Sequence, residues 1–192
     1  MKKVLFLLLI LFGTYSLYAQ DEQETPETKG FQKDKLFVGG YFGLTFGDYT
    51  LINISPQVGY RFNKFLAAGV GINGQYVSIK QRDYNGNALS KTEQGVVGLN
   101  VFGRFYPFQQ FMIQVQPEEN YIFGNTKYYS GSGTQEFKID AQIVPSLLLG
   151  GGLVFPAGKG AMILGVFYDV LQKPSSPYGN KAIVNFGYNF SL

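Results

Sequence analysis

The sequence predicts an all-β chain: eight strands in an antiparallel, up-and-down, membrane-spanning β-barrel. Three observations carry this. Apolar and polar residues alternate with period two in eight successive segments. No stretch keeps an i, i+3, i+4, i+7 apolar stripe long enough for an amphipathic helix. From the second segment onward, short turns alternate with long polar loops.

The chain of 192 residues is long enough for one domain with a real core. Residues 1–19 open with Lys2 and Lys3, continue with an apolar run from Val4 to Phe12, and end on Ala19. This pattern is a secretory signal peptide. The run is too short to cross a bilayer as a helix, which takes about 20 apolar residues. Residues 20–35, QDEQETPETKGFQKDK, hold almost no aliphatic side chain and read as a flexible periplasmic leader. Residues 36–192 are the barrel domain.

In the first strand Leu36, Val38, Phe42, Leu44 and Phe46 oppose Gly39, Tyr41, Gly43, Thr45 and Gly47. The second is INISPQVGYRF, with Ile52, Ile54, Pro56, Val58, Tyr60 and Phe62 on one face. Asn63-Lys64 turns into the third, where Leu66, Ala68, Val70, Ile72 and Tyr76 oppose Gly69, Gly71, Asn73 and Gln75. A polar loop over about 80–93 follows, with Asn85-Gly86 as its turn signal. The fourth strand sets Val97, Leu99, Val101 and Phe105 against Gly98, Asn100, Phe102 and Arg104. A Pro107–Gln109 turn leads to the fifth, with Phe111, Ile113 and Val115 against Gln114, Gln116 and Glu118. The loop NTKYYSGSGTQ precedes the sixth, where Phe137, Ile139, Ala141, Ile143 and Leu147 oppose Glu136, Lys138, Asp140, Gln142 and Ser146. PAGKG turns into the seventh, with Leu164, Val166, Tyr168 and Val170 against Gly165 and Asp169. After QKPSSPYGN the eighth places Ala182, Val184, Phe186, Tyr188, Phe190 and Leu192 on one face. Each strand approaches the roughly 9–11 residues that a tilted strand needs to cross a bilayer.

Alternation leaves open which face is outside, and three features select lipid for the apolar one. The polar face is mostly Gly, Asn, Gln and Ser with sparse charge, whereas a water-facing surface is typically about 25–35% charged. Aromatics gather at strand ends, including Tyr60, Phe62, Phe65, Tyr106, Phe108, Phe111 and Phe155, as in the girdles of outer-membrane barrels. Short turns on one side and long loops on the other match the two sides of such a barrel.

From Leu36 to Leu192 the chain resembles the small eight-stranded outer-membrane β-barrel domain family, within the porin-like group of Gram-negative outer membranes. GGYFGLTFG, NISPQVGYRFNKFLAAGVGIN, VFGRFYP and NFGYNFSL carry the resemblance. The last stretch is similar to the family's C-terminal assembly signal, here Gly187, Phe190 and Leu192, although the family usually ends in an aromatic. The resemblance implies an outer-membrane location, assembly by the barrel-assembly machinery, and contact with outer-membrane lipid including lipopolysaccharide.

The chain has no Cys and no His. Thiolate and histidine metal sites, cysteine nucleophiles and Ser-His triads are therefore excluded. Lys2 and Lys3 leave with the signal, so sixteen basic residues become fourteen against thirteen acidic ones. Near-neutrality gives no case for nucleic-acid binding. Glu118 and Glu119 point to opposite faces of a strand and cannot flank one substrate atom. The Gly-rich stretches lack the Gly-Lys-Ser/Thr ending of a phosphate loop. No enzyme activity and no cofactor are expected.

The candidate site is a lumen network of Arg61, Arg104, Glu118, Lys138, Asp140 and Asp169, read as packing rather than a conduit because side chains fill an eight-stranded barrel. In the long loops, Lys80, Arg82, Lys91, Lys127, Lys173 and Lys181 face Asp48, Asp83, Glu93 and Glu136. These residues could meet lipid phosphates or simply be solvated. Tyr128, Tyr129 and Tyr178 sit at loop tips. The expected role is structural or surface interaction through these loops, with no appended wall-binding domain. The alternative is a soluble, lipocalin-like periplasmic barrel with its apolar face inside. Pro56, Pro117 and Pro145 fall within strands, where bulges would accommodate them; a bulge near Pro117 would also turn Glu119 inward.

Overall fold

Alternating segments become strands throughout the computed structural model, which describes residues 32–130, 133–178 and 180–192. The strands are β1 (Leu36–Thr45), β2 (Tyr49–Arg61), β3 (Leu66–Arg82), β4 (Ala88–Phe108), β5 (Phe111–Ser130), β6 (Gly133–Ala157), β7 (Gly160–Asp169) and β8 (Ile183–Ser191). Every strand pairs antiparallel with its sequence neighbours, and β1 also pairs with β8, which closes the barrel. The signal peptide and residues 20–31 of the leader lie outside the described residues, while Lys33–Lys35 form a short 3-10 turn.

The short connections are those expected. Phe62 N donates to Leu66 O, while Asn63 Oδ1 accepts from Phe65 N and Leu66 N at 2.8 Å each. At the third such turn Gly158 has φ 57°, a left-handed conformation that glycine adopts without penalty. We call this the turn end.

The opposite, hairpin end departs from the expectation. The polar loops over 80–93 and 125–135 are largely strand: β3 and β4 pair up to Arg82 and Ala88, and β5 and β6 up to Ser130 and Gly133. Only 83–87 turns in the first, with Gly86 at φ 86° and Asp83 N donating to Asn87 O. Because β2 begins at Tyr49, opposite Ile79, and β7 ends at Asp169, opposite Leu148, parts of β3 to β6 stand above the closed ring as a four-stranded sheet. Polar side chains hid these extensions, since a strand wet on both faces carries no burial period.

The predicted faces hold in β2 to β5, β7 and β8. In β5 the buried residues are Met112, Gln114, Gln116, Glu118, Asn120 and Ile122, with exposed residues between them. In β6 they fail at one point. Ile122 faces Gln142 but Gly124 faces Ile139, so Asp140 and Ala141 together oppose Phe123. This bulge reverses the parity. Ile143 and Leu147 point outward, while Phe137 and Ile139 share the other parity.

No bulge attends the three prolines. The β2–β3 register is the same on both sides of Pro56, and the β4–β5 register on both sides of Pro117. Pairing is instead interrupted locally, at Ser55–Pro56 on the β3 side and at Gln116–Pro117 on the β4 side. Pro145 pairs with Glu119 on one side and stands beyond the end of β7 on the other. Each missing N–H thus falls at a gap or an edge. With β5 regular, Glu119 faces outward and is exposed.

Inside the turn half lies an apolar layer that alternation alone did not announce. Phe37, Tyr41, Ala67, Phe102, Tyr106, Met112, Leu148, Val154, Ile163 and Phe167 form one buried cluster. Tyr106, which the sequence placed in the outer aromatic girdle, belongs to this inner layer. Gly59 makes room for it: a Cβ there would collide with the Phe37 ring.

Candidate functional site in the lumen and at the hairpin end

Within the apolar layer, between Phe102 and Tyr106, β4 points Arg104 into the lumen, where it is 2% exposed. Its guanidinium lies 4.4 Å from the Phe102 ring centroid and within 5.6 Å of those of Phe37 and Tyr41. Nε donates to Gln114 Oε1 at 2.6 Å, and Nη2 to Gln57 Oε1 at 2.6 Å and Tyr41 Oη at 3.3 Å. In the amide orientation that satisfies both groups, Asn189 accepts from Nη1 at 2.8 Å.

No carboxylate is among these partners. The charge is relayed along β5 instead. Gln114 Nε2 donates to Gln116 Oε1, and Gln116 Nε2 donates to Glu118 Oε1 at 2.6 Å. Two amides and the carboxylate on alternate residues of β5 continue from the β4 cation as one polarised row. Asn120 completes the row, donating to Glu118 Oε2 at 3.2 Å and accepting from Asn73 at 2.6 Å.

The β7–β8 connection closes the row from above. Asp169 is fully buried; its Oδ1 accepts from Leu147 N and Leu171 N at 3.0 and 3.1 Å, and its Oδ2 from Ser176 Oγ at 2.6 Å. Anchored there, the connection drops Tyr178 into the lumen, where its hydroxyl donates to Glu118 Oε2 at 2.5 Å. The space left between Tyr178, Glu118 and Phe167 is about 10 Å³, room for one water molecule at most. Tyr178→Phe should cost about 1.5–3 kcal/mol, the range for a hydrogen bond to a charged group. Hydrogen exchange should rise in the β7–β8 connection and stay unchanged in β2 to β5.

Of the six predicted lumen residues, the structure brings Arg104, Glu118 and Asp169 inside. Arg61 has inward parity but is the last residue of β2. It is exposed at the turn-end mouth, a hollow of about 440 Å³, with its guanidinium 5.0 Å from the Tyr106 ring. Lys138 is displaced by the β6 bulge and sits opposite Asn125, exposed on the protruding sheet. Asp140 is in the bulge and exposed. Gln57, Gln114, Gln116 and Asn120 share inward parity with the charges, a signal that could have named them. Tyr178 carries none, since the sequence places it at a loop tip.

The protruding sheet holds most of the predicted loop charges. Arg82 pairs with Asp48 at 2.8 Å, Lys91 with Glu93 at 2.8 Å, and Lys127 with Glu136 at 3.9 Å. At its tip, the Asn87 side chain and backbone N–H donate to Asp83 and hold that carboxyl below its usual range. From Gly133 to Ser146, β6 has no strand on the side away from β5 among the described residues.

No protein-family model matches this chain, and none of the curated proteins matches it either.

Proposed function

We propose that this chain is an integral outer-membrane barrel with a filled lumen, non-enzymatic, acting at the surface through its protruding sheet. One observation carries the reading. Apart from Glu119, the outward faces of the eight strands are apolar, from Phe65, Phe108, Phe155 and Phe190 at the turn end to Tyr76, Tyr121 and Phe123 towards the hairpin end. Leu99, Val70, Val58 and Val184 between them are 67%, 58%, 44% and 62% exposed. A water-soluble monomer rarely leaves so continuous an apolar wall uncovered. In hydrocarbon the same wall is at its lowest free energy, and a closed sheet leaves no strand edge within it.

The lumen supports this over a lipocalin-like carrier, because beyond the turn-end hollow apolar side chains and the Arg104–Glu118 row fill the barrel interior. The turn end would then face the periplasm. Gly187 and exposed Phe190 on β8, with exposed Leu192 just after it, would serve as the assembly signal for the barrel-assembly machinery. The protruding sheet would face outward, where its lysines reach the level of lipopolysaccharide phosphates. Its β6 edge offers unpaired backbone groups to a surface partner, the geometry of strand addition.

Membrane fractionation with gel mobility of unboiled against boiled samples tests the reading. The protein should sediment with the outer membrane and shift in mobility once unfolded. Recovery in the soluble fraction without detergent would contradict it.

A further inference from the structure

Among the outward residues between the two aromatic rows, Glu119 is the one Asp, Glu, Lys or Arg. Leu99 and Pro145 face it across the ladders, and Pro117 and Tyr121 flank it on its own strand. Its carboxyl makes no hydrogen bond or ion pair with any described residue. It borders a groove of about 910 Å³ along the outer wall, lined mostly by apolar side chains such as Pro56, Ile72 and Val101, with the inward-facing Gln57, Asn100, Glu118 and Ser146 behind them.

In hydrocarbon an isolated carboxylate is far costlier than the neutral acid, and the acid still needs partners for one donor and its acceptors. Polar groups in this position hold membrane-spanning elements together. Barrels inserted by one route share one orientation, so a given depth on one copy meets the same depth on the next. The wall offers no other charged group at this depth, which leaves Glu119 itself as the complement. A neutral carboxyl is self-complementary: two of them exchange two O–H···O bonds.

We propose that a second copy of this chain covers this wall, with the two Glu119 carboxyls hydrogen-bonded to each other across a two-fold axis normal to the membrane. The proposal rests on the membrane reading above. Pro117 and Pro145 beside Glu119 are shorter than it and let it reach across the groove, and the isologous contact closes at a dimer.

The test is energy transfer between full chains labelled at Asn85→Cys, in a sequence without cysteine, reconstituted in phosphatidylcholine vesicles and diluted with lipid. The parent and Glu119→Gln, whose amide is equally self-complementary, should associate. Glu119→Leu should weaken association about tenfold, the scale of one or two hydrogen bonds between membrane-spanning elements. Folding of each variant is read from the heat-dependent gel shift. Equal association of Glu119→Leu, or loss of association in Glu119→Gln, overturns the carboxyl pairing. A parent that floats with vesicles but transfers no energy, with or without a retained amphiphile, overturns the dimer alone. Failure to float overturns the membrane reading, and the pairing with it.

Discussion

A Glu118→Leu barrel in phospholipid vesicles should be less stable than the parent by about 3–5 kcal/mol, the cost of breaking a buried charged arrangement from one side. Three donors lose a bond to Glu118 together: Gln116 Nε2, Tyr178 Oη and Asn120 Nδ2, the last keeping Ser146 Oγ. Arg104 also loses the carboxylate at the far end of its amide row, and neither group can turn to water inside the closed lumen. Glu118→Gln separates these terms. Its carbonyl accepts two of the three donors while its amide faces the third, so a smaller loss of about 1–3 kcal/mol is expected. The urea concentration at which the folded gel band disappears measures both. Identical midpoints for all three chains would mean that the row fills space without contributing stability.

The second large effect comes from the opposite face. Val70 points outward between Val58 and Val101. If lipid surrounds it, Val70→Arg should cost about 2–4 kcal/mol, the penalty for a basic side chain near the bilayer midplane. If water surrounds it, the same exposed substitution stays within about 0.5 kcal/mol of the parent. Urea titration in vesicles measures the difference, with Val70→Leu as the control that keeps the wall apolar.

Much of this architecture was legible because period two is a strong signal wherever one face is wet and the other dry. Gln57, Arg104, Gln114 and Glu118 fall inward where alternation puts them. The signal weakens wherever both faces have one character. Phe37, Met112, Ile163 and Phe167 lie inward opposite apolar outward neighbours, so the inner layer of the turn half was invisible. Lys80 to Glu93 are polar on both faces, so a hairpin read as a loop. One extra residue at Asp140–Ala141 moved Lys138 across the sheet, and no local composition marks a bulge whose cause is pairing with β5. Pro56 and Pro117 invited bulges that a local gap in the ladder made unnecessary. Tyr178 reaches Glu118 across a separation of sixty residues, because Asp169 and Ser176 shape the connection that carries it.

The most direct measurement places a nitroxide at Val58 or Phe186, through single cysteines, in the native membrane. Collision with dissolved oxygen should dominate and collision with a water-soluble nickel chelate should be nearly absent, since both side chains would lie among acyl chains. Ready quenching by the nickel chelate at both positions would mean the apolar wall faces water, and the proposed membrane insertion would be wrong.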